Sequence, residues 1–365
     1  MLLPQTASPP VTRTPSTAPP PLPTALPFPG GRPDLTALSN FAALRGQLRV
    51  SFGPDCNIAC WFCHNEGDVP PGTTRDDRSQ QPRQRVLCAG HYVQIIGALI
   101  GAGMRRVHFT GGEPLISKLT RPVLEGLHPF AAPDTTFSLI TNGLLVPRCL
   151  PWLRQTPLDK VKVSLHYFSD TTFQLIARTR LPVSAVLEGI DAARDAFERV
   201  ELNTLLQRQN QHEVPAILHY ALERRLPVQF IELVDTGFNA PDRQAAVPAD
   251  DLVALLRSMT SVERVEIAGV GQGRRVFTID GLEIEVIHRE LGRHHVGQCG
   301  TCPIRSSCVE GFWALRLDHA GGLTPCLLRE DLRLDLSPLL SGADPDTTVP
   351  AAVAGYVAAF TEGTL

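Results

Sequence analysis

The sequence predicts an α/β fold in which repeated βα units surround a mostly parallel sheet. From Leu48 onward, short apolar or β-branched runs alternate with longer segments of helical period. Six such runs precede residue 240, and most are separated by helical segments. The chain has 365 residues, of which 43% are hydrophobic, so it can bury the core of one large domain or two.

The predicted elements follow one another along the chain in a regular order. The first strand, 48–53, leads into a cysteine-rich loop, and residues 68–85 lack an apolar period and are predicted to form a mobile loop. Further strands are predicted at 105–110, 135–142, 160–165, 200–206 and 227–234. Helices are predicted at 89–103, 121–127, 183–197 and 213–225. Ligands of parallel sheets bind at the carboxyl ends of strands, where the cysteine loop and the turn 111–114 both fall.

The two ends of the chain differ from this core. The first part is rich in Pro, Ser, Thr and Ala and poor in bulky apolar residues, which predicts disorder. After about residue 240, short runs at 264–269, 275–280 and 282–287 predict an antiparallel meander. The predicted units are a disordered extension at 1–40, a core at 41–240, a smaller α+β module at 241–335 and a C-terminal tail at 336–365.

Charge and cysteine content limit the partners and the compartment that we expect for the protein. The formal charge of -3 gives no reason to expect a nucleic-acid or membrane partner. No apolar run reaches the roughly 18 residues that a membrane span needs, so we expect a cytoplasmic protein. The 9 cysteines are odd in number and clustered, which favours metal ligation in a reducing compartment over a disulfide framework.

Three of these cysteines, Cys56, Cys60 and Cys63, lie close together in the loop after the first strand. A single curl of the loop can point their sulfurs at a common centre. An iron-sulfur cluster of the 4Fe-4S kind held by three thiolates keeps one iron open for another ligand. A zinc site is an alternative, although structural zinc usually has four protein ligands and His64 is poorly placed to be the fourth. Three ordinary buried thiols are a further alternative.

The motifs around this loop resemble those of radical S-adenosylmethionine (SAM) enzymes. Residues 56–63 match the CxxxCxxC signature of those enzymes, with an aromatic residue before the third cysteine. More specifically, residues 47–330 resemble the MoaA family, the GTP 3',8-cyclases of molybdenum cofactor biosynthesis. The resemblance rests on "LRVSFGPDC", "FTGGEPL", "LITNG", "VSL", "VLEGIDAA", "LNT", "QFIE" and "LRLDHAGGLTPCL", which occur in the order typical of the family.

The resemblance implies a partial (βα)6 TIM-like barrel of radical SAM type with a small C-terminal module for an auxiliary cluster. It implies a lyase, cyclase or related enzyme that cleaves SAM reductively to a 5'-deoxyadenosyl radical, with the three cysteines of the loop holding the SAM-binding 4Fe-4S cluster. The acidic residue of the "GGEP" turn would accept the SAM ammonium group. The residues implied to bind SAM are Gly111, Gly112, Glu113, Thr141, Asn142 and Ser164.

A second group of cysteines, Cys299, Cys302, Cys308 and Cys326, is predicted to ligate an auxiliary 4Fe-4S cluster. The MoaA family has three such ligands in a different spacing, and Phe312 stands where one of them is expected. Four ligands would close the cluster, whereas three would leave an iron for substrate. A closed structural zinc site is the alternative.

Basic residues expected around a nucleotide are only partly present. The residues predicted to bind substrate are Arg49, Arg106 and Arg316, which stand where the family carries basic residues. By contrast, Glu201 replaces an expected lysine, and Gln229 and Ala314 replace expected arginines. A triphosphate binds tightly only where fixed cations offset its charge, so these changes argue against GTP.

We therefore expect a MoaA-like enzyme that acts on a small, nucleotide-like molecule, with GTP as one candidate. The implied partner is an electron donor such as ferredoxin or flavodoxin. A radical SAM peptide maturase is the second hypothesis, because such enzymes also combine a SAM cluster with a cysteine-rich C-terminal module. A zinc-stapled binding protein is the third, and it predicts zinc without iron.

Overall fold

The computed structural model describes residues 33–63, 87–233, 246–267, 272–308, 310–363 and 365. The predicted loop at 68–85 and most of the predicted extension at 1–40 lie outside these ranges. Within them, one sheet of 12 strands organises the chain. None of the helices in the described ranges is both long and apolar enough to cross a membrane.

The elements begin and end as follows. The strands are β1 (Gln47–Ser51), β2 (Arg106–Thr110), β3 (Thr136–Thr141), β4 (Lys160–Ser164), β5 (Arg199–Leu206), β6 (Val228–Glu232), β7 (Glu263–Glu266), β8 (Arg274–Ile279), β9 (Leu282–Ile287), β10 (Ala314–Leu317), β11 (Gly322–Thr324) and β12 (Leu334–Asp335). The helices are α1 (Thr36–Ala43), α2 (Ala89–Gly101), α3 (Thr120–Gly126), α4 (Val146–Leu153), α5 (Asp170–Ala177), α6 (Ser184–Arg194), α7 (Val214–Glu223), α8 (Asp250–Met259) and α9 (Pro345–Thr361).

The sheet is mostly parallel, as predicted. Strands β1 to β6 lie side by side in chain order, and each neighbouring pair is parallel. Strand β10 adds to the β1 edge and β9 to the β6 edge, again in parallel. Antiparallel strands then extend both ends, with β11 and β12 beyond β10, and β8 and β7 beyond β9. This α/β architecture is consistent with a partial TIM-like barrel, and the predicted six core strands are all present.

Alternation along β4 shows how the sequence builds the two faces of the sheet. Val161 and Val163 are fully buried and belong to the hydrophobic core. The residues between and beside them, Lys160, Lys162 and Ser164, are only partly buried and point to the opposite face. We call that opposite face the inner face, because it is the face that a closing barrel turns toward its centre.

The C-terminal part of the chain differs from its prediction. Residues 336–365 are predicted as a tail, but 345–361 form helix α9, which packs against α1 and α2. Its apolar side chains, among them Val353 and Val357, are fully buried, so the segment completes the core. Helix α1 likewise crosses the predicted boundary at residue 40, because Leu38 and Phe41 are fully buried.

The predicted meander after residue 240 is present as β7, β8 and β9. Its last strand joins β6 of the core, and the later strands β10 to β12 join β1 at the other edge. The region 241–335 therefore extends the core sheet at both edges and does not form a sheet of its own.

Candidate active site

The loop after β1 carries the first three cysteines and is hydrogen-bonded to helix α5, which follows β4. The backbone N–H of Ala59 donates to the carbonyl of Ala177 at 2.9 Å, and that of Trp61 donates to Ile176 at 3.1 Å. Both acceptors lie in the last turn of α5, where carbonyls have no partner within the helix. The Trp61 indole N–H also donates to Gln207 Oε1 at 2.9 Å. These contacts fix the path of the loop across the carboxyl ends of the strands.

The "GGEP" turn holds the other side of the same loop. Gly112 N donates to the carbonyl of Gly53 at 2.8 Å, and Glu113 N donates to that of Asp55 at 2.7 Å. A Cβ atom at Gly112 would lie 2.1 Å from the Asp55 carbonyl oxygen. Gly111, with a φ of +130°, also has too little room for a side chain, since its Cβ would lie 2.8 Å from the Gly53 oxygen. The close approach that these glycines permit is therefore to the cysteine loop, and their direct contact with SAM stays a prediction.

Glu113 is buried between the ends of β2 and β3. Its side chain is 2% exposed, and Oε1 accepts hydrogen bonds from the Thr141 hydroxyl at 2.8 Å and from Leu115 N at 3.0 Å. Oε2 accepts from Asn142 N at 2.7 Å. Burial raises the pKa of Glu113 to about 7, and these hydrogen bonds act in the opposite direction. A cation bound beside this carboxylate would favour its charged form.

Asn142 joins this network to the cysteine loop. Its side-chain amide donates to Asn57 Oδ1 at 2.7 Å and lies 3.8 Å from Cys56 Sγ. Since Thr141 and Asn142 also contact Glu113, the residues predicted from "GGEP" and "TNG" meet beside the first cysteine.

Ser164 ends β4 on the inner face, and its neighbour on β5 is Asn203, which is not among the predicted site residues. Ser164 pairs with Asn203 in the register of β4 and β5. Asn203 Oδ1 is buried and has no hydrogen-bond partner among the described residues. A buried amide oxygen without a donor is uncommon, and this one could accept a hydrogen bond from a bound ligand. The sequence signal was the position of "LNT" in a predicted strand beside "VSL".

The three thiols of the loop are close enough to influence one another. Burial, with smaller contributions from the charges of Glu113 and Cys63, raises the pKa of Cys56 to about 11. Burial also raises the pKa of Cys60 well above its usual range, to which Cys63 and Cys56 add. Bound metal cations would offset both burial and mutual repulsion, so this donor set fits a metal centre.

Neither cysteine group surrounds a single ion. Four sulfurs around tetrahedral zinc lie about 3.8 Å apart. In the described part of the chain, the three ligand atoms that come within 4.8 Å of one another belong to Asp250, His288 and Glu290, and no set of three cysteines does so. A four-iron cluster is larger than one ion and keeps its ligands farther apart, which fits the wider spacing of the thiols.

The group around His288 is a poor metal site for a separate reason. Nδ1 of His288 accepts a hydrogen bond from Arg275 Nε at 3.1 Å, so the neutral ring carries its proton on Nε2. That nitrogen is the one that faces Asp250 and Glu290, at 3.7 and 3.8 Å. A metal there would have to displace this proton.

The second cysteine group also comes together. Burial raises the pKa of Cys299, and the charges of Cys308 and Cys302 raise it further. Burial raises the pKa of Cys326 to about 12, with contributions from Glu310 and Cys308. Cys308 is thus near both ends of the group. In addition, Arg329 Nη1 donates to Cys302 Sγ at 3.5 Å.

The predicted substrate arginines do not form one cluster. Arg49 and Arg316 are register partners, and their guanidinium carbons lie 5.4 and 4.9 Å from the centre of the Trp313 ring. Arg316 also forms a 2.5 Å ion pair with the buried Glu310. Arg106 is the first residue of β2, about 13 Å along the strand from its carboxyl end. There, burial and the charges of nearby arginines lower its pKa.

Comparison with protein families matches residues 50–221 to the radical SAM superfamily. Among curated proteins, the GTP 3',8-cyclase of Marinobacter nauticus is 27% identical over 292 residues, which is 79% of this chain and 83% of that protein. A probable GTP 3',8-cyclase of Methanococcus maripaludis is 25% identical over 301 residues, or 82% and 90% of the two chains. The GTP 3',8-cyclase of Acidothermus cellulolyticus is 33% identical over 215 residues, 58% of each chain.

Two solved structures share the fold. SuiB of Streptococcus suis, bound to S-adenosylmethionine, gives a TM-score of 0.55 at 11% identity over 79% of this chain and 62% of SuiB. Native anSMEcpe with bound AdoMet gives a TM-score of 0.54 at 15% identity over 87% and 82%. The chain spans less than two thirds of SuiB, and sequence identities this low indicate only a shared fold. The residues that match the superfamily, 50–221, contain the cysteine loop and the network around Glu113.

Proposed function

Because this chain is a radical SAM enzyme that resembles the GTP 3',8-cyclases, we propose that Cys56, Cys60 and Cys63 hold the 4Fe-4S cluster that the superfamily implies and that SAM binds beside it. When held by these cysteines, the cluster would supply the electron for the reductive cleavage of SAM that is typical of the superfamily. The observation that carries the proposal is the network in which Asn142 links Glu113 to the cysteine loop.

The protein's own residues would orient SAM and exclude water. Glu113 offers a buried carboxylate for the ammonium group, and a cation there would hold it in its charged form. Asn203 offers an amide oxygen that has no donor among the described residues, and Ser164 offers a hydroxyl beside it. These groups suit the hydroxyls of a ribose, since each provides an acceptor at the end of a strand.

We propose that the second cysteine group holds an auxiliary 4Fe-4S cluster with four ligands. The mutual influence of Cys299, Cys302, Cys308 and Cys326 supports this count. A cluster with four thiolates has no iron left for substrate, so it would pass electrons or stabilise the module. The side chain of Arg329 would donate a hydrogen bond to one of its sulfurs.

The substrate we propose is a small, nucleotide-like molecule, and cyclisation of GTP is the specific candidate suggested by the curated relatives. The proposed partner is an electron donor such as ferredoxin or flavodoxin. The proposed compartment is the cytoplasm, because all 9 cysteines are free thiols and two clusters would need a reducing environment.

Anaerobic reconstitution followed by reduction in the presence of SAM tests the proposal. We expect about eight irons per chain and release of 5'-deoxyadenosine. Cys63→Ala should lose about half of the iron and all of the 5'-deoxyadenosine. The matched control is Cys149→Ala, since Cys149 is a buried core thiol outside both groups. It should retain both signals.

Three results would count against parts of the proposal. A colourless protein that contains zinc and no iron would exclude the enzyme. Full iron without 5'-deoxyadenosine would exclude SAM cleavage. If GTP neither stimulates 5'-deoxyadenosine release nor is consumed, the GTP cyclase candidate is excluded while the class of enzyme stands.

A further inference from the structure

A row of charged and polar side chains crosses the inner face of the sheet from β4 to β8. Lys162 and Glu201 are register partners on β4 and β5, and Gln229 and Glu285 are register partners on β6 and β9. Arg274 continues the row from β8. Lys162 and Glu201 lie two residues, about 7 Å, before Ser164 and Asn203 along their strands, whereas Gln229 is the register partner of Asn203 and adjoins the proposed SAM site.

Each member of this row is bonded to the next. Glu201 accepts a hydrogen bond from Lys160 and lies 3.4 Å from the ammonium group of Lys162. Lys162 Nζ also donates to Gln229 Oε1 at 3.3 Å, and Gln229 Nε2 donates to Glu285 Oε2 at 2.8 Å. Donors and acceptors therefore alternate from β4 to β9.

The row continues to the edge of the sheet in the same way. Arg274 lies 3.4 Å from Glu285 and donates to Glu266 at 2.7 Å. The three cations Lys160, Lys162 and Arg274 are thus each paired with a carboxylate of the row, and Glu266 is shared with Arg45 and Arg264.

Lys160, Lys162 and Glu201 are largely buried, so separating these charges would be costly. The two lysine side chains are 14% and 16% exposed, and that of Glu201 is 24% exposed. Burial lowers the pKa of Lys162, while the charge of Glu201 raises it. A polyphosphate would have to take the lysines from Glu201 and leave that carboxylate next to its own negative charge.

We propose that the inner face recognises an uncharged, hydrogen-bonding group such as that of a nucleoside, and that the substrate carries no polyphosphate there. The proposal rests on the proposed function, because it takes this face as a wall of the substrate cavity. The charge reversal at Glu201 is then part of a platform of paired charges, in which Gln229 presents an amide where an arginine is expected. Of the predicted anion ligands, Arg316 on β10 is already paired with Glu310.

Isothermal titration of the reconstituted protein with SAM, using tripolyphosphate, GTP and guanosine, tests the proposal. We expect guanosine to bind, GTP to bind no more than about threefold more tightly than guanosine, and tripolyphosphate not to bind measurably; absence of guanosine binding would also overturn the proposal. A GTP affinity at least tenfold above that of guanosine, falling steeply with added salt, would overturn it, because such a dependence reports contacts to charged phosphates.

A charge-releasing variant gives the converse test. Glu201→Gln frees Lys160 and Lys162, and we expect it to bind tripolyphosphate at least tenfold more tightly than the wild type. Glu283→Gln is the matched control: Glu283 lies on the same strand as Glu285, but it is 49% exposed and pairs with Arg264. It should bind tripolyphosphate as the wild type does.

If circular dichroism shows that Glu201→Gln does not fold, Glu285→Gln serves instead, since it removes one of the two carboxylates paired with Arg274 and leaves the row one negative charge short. A folded variant that gains no affinity for tripolyphosphate overturns the proposal. Iron content and 5'-deoxyadenosine release report on the proposed function separately. Their loss with unchanged phosphate binding counts against the radical chemistry alone.

Discussion

Adding one methyl group at Gly112 should displace the cysteine loop. The new Cβ would lie 2.1 Å from the Asp55 carbonyl oxygen, whereas ordinary contacts begin at 3.4 Å, so the two segments must separate by about 1.3 Å. The obstacle is backbone and has no rotamer by which to move aside. The shift would stretch the 2.7 Å hydrogen bond from Glu113 N to Asp55. Overpacking of this kind typically costs about 1–3 kcal/mol.

The assay compares Gly112→Ala with Gly101→Ala. Gly101 is the last residue of α2, and nothing lies within 4 Å of an added Cβ there, so that variant should match or slightly exceed the wild type in stability. We expect Gly112→Ala to lower the free energy of unfolding in urea and to retain less iron after reconstitution. Equal stability and equal iron in the two variants would refute the idea that the turn and the loop are in close backbone contact.

Three further predictions follow from single groups. The folded pKa of Glu113, about 7, lies above its ordinary value of 4.5. The contribution of this shift to the free energy of unfolding is therefore complete below pH 4.5 and declines by on the order of 3 kcal/mol as the pH rises to 7. Urea unfolding across this range should show the decline in SAM-free wild type and not in Glu113→Gln. Arg329→Leu removes the hydrogen bond to Cys302 and should lower the reduction potential of the proposed auxiliary cluster, measured by EPR-monitored titration, and an unchanged potential would contradict that contact. Cys308→Ala should alter the auxiliary cluster's EPR spectrum, and an identical spectrum would show that Cys308 is not a ligand.

Local signals in the sequence predict most of the fold, because they are properties of single strands and turns. The six core strands and the turn at 111–114 come from apolar periodicity and glycine. The sequence does not reveal which edge of the sheet a later segment joins, so β9 beside β6 and β10 beside β1 appear only in the structure. Helix α9 is missed because its residues are mostly small and apolar on all sides, with no polar stripe to mark a helix.

The same division applies to the candidate site. Glu113, Thr141 and Asn142 are predicted from motifs, and the structure brings them together beside Cys56. Asn203 is missed because a lone asparagine in a strand is usually a satisfied polar group, and its unpaired oxygen depends on neighbours that the sequence does not give.

Glu201 shows why the charge of a single residue is a weak guide to what a site binds. Read alone, a glutamate in place of a lysine suggests repulsion of an anion. In the structure this carboxylate lies between two lysines, so the change also removes those lysines from the cations that a phosphate could reach. Gln229 then links the same lysine to Glu285 through an uncharged amide. The two departures act together on one row of side chains, and a substrate that fits this row must match its hydrogen-bonding pattern more than its charge.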